Sequence, residues 1–128
     1  MRNLLNIFKA LSDETRVRIL KLLEGGELCI CKIMEVLEMK QSRVSRHMGI
    51  LKNARLVKDR RDGKWVHYSL NPKPEDLCCK EMISLMAECL KNQETVMRDQ
   101  KKLQKLLERE KKGLWRPGKC GGDGNERG

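Results

Sequence analysis

The sequence predicts a mainly α-helical fold closed by one small β-hairpin, a winged helix-turn-helix that continues into a long C-terminal helix. Three observations lead there. Apolar residues recur at three- and four-residue spacing through most of residues 3–54, the period of amphipathic helices. Between Leu56 and Leu70 that period gives way to two strand-like segments around Arg61-Asp62-Gly63, and Asp-Gly in such a place marks a hairpin. From Glu75 to about Lys112 no Pro or Gly interrupts the chain.

The elements follow in order. Leu4, Leu5, Phe8 and Leu11 give a short amphipathic helix over 3–11. Ser12 offers an N-cap oxygen for a second helix, Asp13 and Glu14 place negative charge in its first turn, and Gly25-Gly26 stop it. A third helix, about 29–38, carries Ile30, Ile33, Met34 and Leu37 on one face. After a turn at 38–40, QSRVSRHMGILKNA forms a fourth with Val44, Met48 and Leu51 facing inward. Pro72 and Pro74 end the hairpin. The run from Glu75 reads as one long helix, or as two with a weak joint near Asn92. It is longer than so small a core can cover, so it is expected to pair with its copy in a dimer. These readings divide the chain into a DNA-binding domain at 1–74, a dimerisation helix at 75–112 and a Gly-rich, disordered tail at 113–128.

Composition narrows the function. Only 3% of the 128 residues are aromatic, so the core is aliphatic and modest. The first residues, MRNLLNIFKALSDE, are broken by polar side chains before a signal-peptide core can form, and no apolar run is long enough to span a membrane. A cytoplasmic location is expected, where clustered cysteines bind metal or sense redox state more often than they form structural disulfides. The net charge is +10. From Lys40 to His67 there are nine Lys or Arg against two Asp, a one-sided block that suits phosphate better than a mixed, solvated surface would.

Within this frame four stretches carry a resemblance. FKALSDETRVRILKLL, ELCICKIM, KQSRVSRHMGILKNARLV and RRDGKWVHYSLNP, in that order, resemble the ArsR/SmtB family of metal-responsive transcriptional repressors over residues 7–72. The resemblance implies a homodimer that binds a palindromic operator in double-stranded DNA and releases it when an inducer binds. Two positions depart from the family pattern. Glu38 stands where a glycine is often found before the recognition helix, and Arg55 stands where a small residue is usual near that helix's end.

In a helix-turn-helix the N-terminal residues of the second helix enter the major groove. Gln41, Ser42, Arg43, Ser45, Arg46 and His47 sit there. Gln pairs with an adenine edge and Arg with guanine, while Ser and the other cations hold phosphates. His47 is balanced between a DNA contact and an ordinary surface residue. Arg60, Arg61 and Lys64, at the hairpin tip, are expected to reach the backbone or the adjacent minor groove.

The remaining motif is ELCICKIM, with Cys29 and Cys31 one residue apart. On a helix spanning 29–38 they lie about 200° apart around the axis and cannot grip one ion together. To chelate jointly, that turn must unwind or start late, which would disturb the support of the recognition helix. Six cysteines stand against two histidines, and thiolates favour soft ions. The ELCxC pattern resembles the family's arsenic-responsive branch, which implies trivalent arsenic or antimony at Cys29 and Cys31, with cadmium or lead as other candidate inducers. Where that branch can carry a cysteine three residues beyond the pair, this chain has Met34, which reads as core. Cys78, Cys79 and Cys89 offer an additional or alternative site between two antiparallel copies of the long helix, against the simpler reading of Cys89 as a small buried hydrophobe. Cys120, in the tail, reads as incidental.

Three rival readings use the same residues. A thiol-redox repressor would release DNA on cysteine oxidation without metal. A CxC thiol oxidoreductase would need a catalytic constellation that the chain lacks. A structural zinc module would bind zinc without salt-dependent affinity for duplex DNA.

Overall fold

A computed structural model describes the backbone of residues 2–71 and 77–117, and the side chains of these except 77–79. The element order is α1 (Arg2–Leu11), α2 (Glu14–Leu23), β1 (Leu28–Cys29), α3 (Ile30–Leu37), α4 (Gln41–Asn53), β2 (Val57–Asp62), β3 (Trp65–Leu70), α5 (Leu77–Leu90) and α6 (Glu94–Lys111). This is the predicted winged helix-turn-helix, with α3 and α4 as the motif and β2–β3 as the wing. Pro72, Pro74 and the tail from 118 onward lie outside the described residues.

The core forms where the apolar stripes of α1 to α4 converge. Ile7, Ile19, Leu20, Ile33, Val44, Met48 and Leu51 are all buried, as periodicity requires of one face on each helix. The cap of α2 differs from expectation: Asp13, not Ser12, holds the N-cap position and accepts from the Arg16 amide at 3.2 Å. Ser12 instead donates its hydroxyl back to the Lys9 carbonyl and closes the end of α1. The stronger acceptor therefore serves the new helix, and the hydroxyl serves the old one.

Glu38 and Arg55, the two departures from the family pattern, both sit in the left-handed region, with φ of 56° and 63°. Each terminates a helix. After Glu38 the Met39 amide reaches back to the Met34 carbonyl at 3.2 Å, and after Arg55 the Leu56 amide reaches Leu51 at 3.0 Å. Glycine is the residue that such a turn takes without steric cost, so the chain tolerates strain at both edges of its recognition helix.

The sheet has a third strand that the sequence did not announce. Its order is β1-β3-β2, all antiparallel, with Leu28 opposite Tyr68 and Cys29 opposite His67. The expected third helix consequently begins one residue late, at Ile30, and Cys29 is extended (φ −68°, ψ 147°). In the wing, β2 pairs with β3 from Val57–Leu70 to Asp62–Trp65, leaving a two-residue connection of Gly63 and Lys64. Gly63 takes φ of 66°, so the turn lies one residue beyond the anticipated Arg61-Asp62-Gly63.

The C-terminal run is two helices, not one. The break falls at residues 91–93, where the Gln93 amide bonds the Leu90 carbonyl and Gln93 restarts the chain as an extended N-cap. Helix α6 packs on α2 and α3. Arg18 of α2 makes a bidentate pair with Asp99 of α6 at 2.8 and 3.0 Å, and the carboxylate is almost wholly buried. That pairing holds the Arg18 guanidinium well above its ordinary pKa, the Asp99 hydrogen bond being the main cause. After α6, Gly113 takes φ of 75° and the chain turns back, so that Trp115 packs against the core.

Candidate nucleic-acid interface and thiol site

Helix α4 begins at Gln41 because the chain at Lys40 is extended (φ −75°, ψ 158°) and the carbonyl there accepts the Arg43 and Val44 amides. Val44, Met48 and Leu51 anchor the inner face. The outer face then presents Ser42, Arg43, Ser45 and Arg46 to solvent. Among the described residues neither Arg43 nor Arg46 has an ion-pair partner, in contrast to Arg18, Lys21, Lys32 and Lys102 elsewhere, which are all paired. Cations held out and left without a nearby acid are the arrangement that phosphate and base edges require.

Two residues of the anticipated reading face turn inward. His47 Nδ1 lies 3.1 Å from the Arg16 guanidinium and 3.8 Å from the Asp13 carboxylate, in the seam between α4 and α2. Arginine can only donate, so this contact needs a neutral imidazole accepting at Nδ1. Burial pushes the His47 pKa down, and Arg16, Arg43 and Arg46 add to that against the opposing pull of Asp13. His47 thus positions the helix within the protein. Gln41 is half-buried, and its Oε1 is buried with no hydrogen-bond partner among the described residues. Its acceptor end faces the protein instead of the groove.

The wing also divides. Arg60 makes a bidentate pair with Glu27, just ahead of β1, at 2.7 and 3.0 Å, and Asp59 is taken by Lys52 at 2.9 Å. The Arg60 pair therefore fastens the wing to the entry of β1. Arg61 and Lys64 remain exposed at the tip without an acidic partner among the described residues, and the Lys64 ammonium lies 5.4 Å from the Trp65 ring centroid.

The thiol pair sits where these parts meet. Cys29 ends β1, opposite His67 on the central wing strand, and Cys31 lies in the first turn of α3. Both are buried. The two residues thus belong to different elements, one hydrogen-bonded to the wing and one bearing the helix that precedes α4. Met34 is packed against the core, as its spacing predicts. Cys29 and Cys89 are thiols, Cys89 exposed on α5, whereas Cys31 is disulfide-bonded to a cysteine whose side chain is outside the described set. The side chains of Cys78 and Cys79, and Cys120, lie outside it as well. Among the described residues no three His, Cys, Asp or Glu cluster as a metal site.

Helix α3 is also tied to the C-terminal helix from both ends. Lys32 pairs with Glu110 at 3.1 Å, and Glu38 pairs with Lys102. Neither pairing was legible in the sequence, because each partner lies more than sixty residues away. The Cys31 Sγ lies 3.1 Å from the Pro117 carbonyl oxygen, beyond the end of α6.

On dimerisation, α1 exposes Leu5 and Phe8, and α5 exposes Leu85 at 64%. A groove of about 750 Å³ between the start of α2 and the α5–α6 pair is lined by Leu11, Val17, Met82, Met86 and Leu90, among others. No described helix is long and apolar enough to cross a membrane.

Comparison with known proteins agrees with this geometry. Residues 13–59 match the family model described as bacterial regulatory protein, arsR family. The chain is 48% identical over 69 residues to the arsenical resistance operon repressor of Escherichia coli (strain K12), a match covering 53% of this chain and 59% of that one. It is 46% identical over 83 residues to an HTH-type transcriptional regulator of Methanocaldococcus jannaschii, covering 64% of this chain and 89% of that one. Among solved structures it is similar to the AntR antimony-specific transcriptional repressor, with 31% identity, a TM-score of 0.54 and coverage of 68% and 75%. The reading helix, the wing and the α3 support thus stand in a chain that belongs to the arsR family of bacterial regulatory proteins, whose members are DNA-binding regulators and not enzymes.

Proposed function

We propose that this protein is a homodimeric transcriptional repressor that releases its operator when trivalent arsenic or antimony binds the thiolates of Cys29 and Cys31. One observation carries the reading: the pair straddles the boundary between β1, which is paired to the wing, and α3, which leads into α4. An ion that draws both sulfurs to itself pulls on the two DNA-contacting elements at once. Ligand binding and DNA binding then share one free energy through the same few residues.

The DNA half of the reading uses Ser42, Arg43, Ser45 and Arg46 on α4, with Arg61 and Lys64 on the wing. The metal half uses sulfur, which selects thiophilic ions over zinc-like ligand sets built from histidine and carboxylate. Two α5 faces, with Leu85 exposed on each, supply the dimer contact. The similarity to an arsenical-resistance repressor and to an antimony-specific one supports the choice of ion.

The test is an operator-binding titration of reduced protein with arsenite. Wild type is expected to leave the duplex, and the Cys29→Ser/Cys31→Ser double variant to stay bound at ion levels that clear the wild type. Normal release by the double variant would refute the site. A second reading is favoured by one fact, the disulfide at Cys31. A repressor switched by thiol oxidation would release DNA with peroxide and ignore arsenite.

A further inference from the structure

Cys29 and Cys31 supply two sulfurs, and Met34 is taken by the core, so a three-sulfur arsenic site needs one more thiol. The structure shows where the chain brings one. After α6 the backbone reverses at Gly113, Trp115 packs on the core, and the Pro117 carbonyl stops 3.1 Å from the Cys31 sulfur. Cys120 is three residues further on. Three residues span at most about 10 Å, so Cys120 starts its reach from the cysteine pair itself. A second observation points the same way. Cys31 is disulfide-bonded while Cys29 and Cys89 are both thiols, so another sulfur of the chain comes within bonding distance of Cys31.

We propose that Cys120 is the third sulfur ligand, and that the C-terminal segment closes over Cys29 and Cys31 to complete a three-thiolate site for trivalent arsenic or antimony. This rests on the thiol-ligand reading above and adds the segment that finishes the site. The chemistry balances with no change of oxidation state at arsenic. Arsenous acid exchanges its three hydroxyls for three thiols, forming three As–S bonds and releasing three waters. Where Cys31 is oxidised, two equivalents of a low-molecular-weight thiol such as glutathione first reduce the disulfide, themselves leaving as glutathione disulfide. The segment is anchored independently of the ion. Lys32–Glu110 holds the end of α6 beside the first turn of α3, so closure orders only the residues beyond Pro117.

The test uses full-length protein reduced with a phosphine, bound to labelled operator, and two probes. Arsenite can take three sulfurs, whereas phenylarsine oxide, with one arsenic bond already on carbon, takes two. Cys120→Ser is expected to bind DNA like the wild type and to answer phenylarsine oxide normally. It should need at least tenfold more arsenite for release. X-ray absorption should count three As–S bonds in the wild type and two in the variant, a readout that stands even if DNA binding is impaired. Loss of both responses, loss of neither, or three As–S bonds retained without Cys120 would overturn the proposal. Transfer of the arsenite defect to Cys78→Ser/Cys79→Ser would do the same. If Cys29→Ser/Cys31→Ser keeps its full response to both probes, the underlying thiol reading fails instead.

Discussion

Helices α5 and α6 lie on one uninterrupted polar-apolar pattern, yet they do different work. Helix α6 buries Val96, Leu103 and Leu106 against α2 and α3, and its Asp99 is clamped by Arg18. Helix α5 has only half-buried apolar residues facing the core, Met82, Ile83 and Met86, and it holds Leu85 and Cys89 out to solvent. The first is part of the subunit, while the second has a face still to be covered. A charged pair at a long sequence separation, and not hydrophobic periodicity, is what distinguishes them.

The sharpest way to break this comparison is to remove the clamp. Asp99→Ala leaves the Arg18 guanidinium in a largely apolar seam without its bidentate acceptor. Losing one partner of such a pair is expected to cost about 3 kcal/mol. Urea unfolding at fixed protein concentration should show it, since dimer stability depends on concentration. A loss no greater than that of a surface substitution would mean that α6 is held by its leucines alone.

The complementary change falls on α5. Leu85→Glu places a charge on the exposed apolar face while touching nothing in the core. Dimer dissociation, followed by sedimentation, is expected to rise at least tenfold, equivalent to about 1.4 kcal/mol. Helix content should stay that of the wild type. An unchanged dimer would assign the interface to α1, through Leu5 and Phe8.

Much of this was readable from the chain. The inner positions Val44, Met48 and Leu51 follow from spacing, and the wing follows from Asp62-Gly63, because both signals are local. The joint at 91–93 was visible only as a weak place, since it contains neither Gly nor Pro and depends on a carbonyl–amide contact between Leu90 and Gln93. Strand β1 was invisible. Two residues carry no alternation, and Leu28 and Cys29 are extended because β3 offers them an edge. That single displacement takes Cys29 off the helix and removes the 200° conflict with Cys31. The return of Trp115 and Pro117 was equally hidden, because a Gly-rich composition does not show that a tryptophan within it finds the core. For Glu38 and Arg55 the sequence marked the anomaly, and only the backbone showed its form, a positive φ at each helix end.

The smallest expected effect separates the inner side of the recognition helix from its outer side. His47 accepts from Arg16 and is surrounded by Arg43 and Arg46, so the folded state resists its protonation. Its folded pKa lies below the unfolded value of about 6.5. Above that value both states are neutral and His47 adds no slope. As pH falls below it the unfolded chain takes up a proton that the folded chain refuses, so stability declines with falling pH. His47→Gln keeps an acceptor for Arg16 and has no proton to gain. Unfolding free energies measured between pH 7 and 5 should therefore fall less steeply for His47→Gln than for the wild type, by less than about 1 kcal/mol because the ring is only part-buried. Parallel slopes would place the ring in solvent and return His47 to the face that meets DNA.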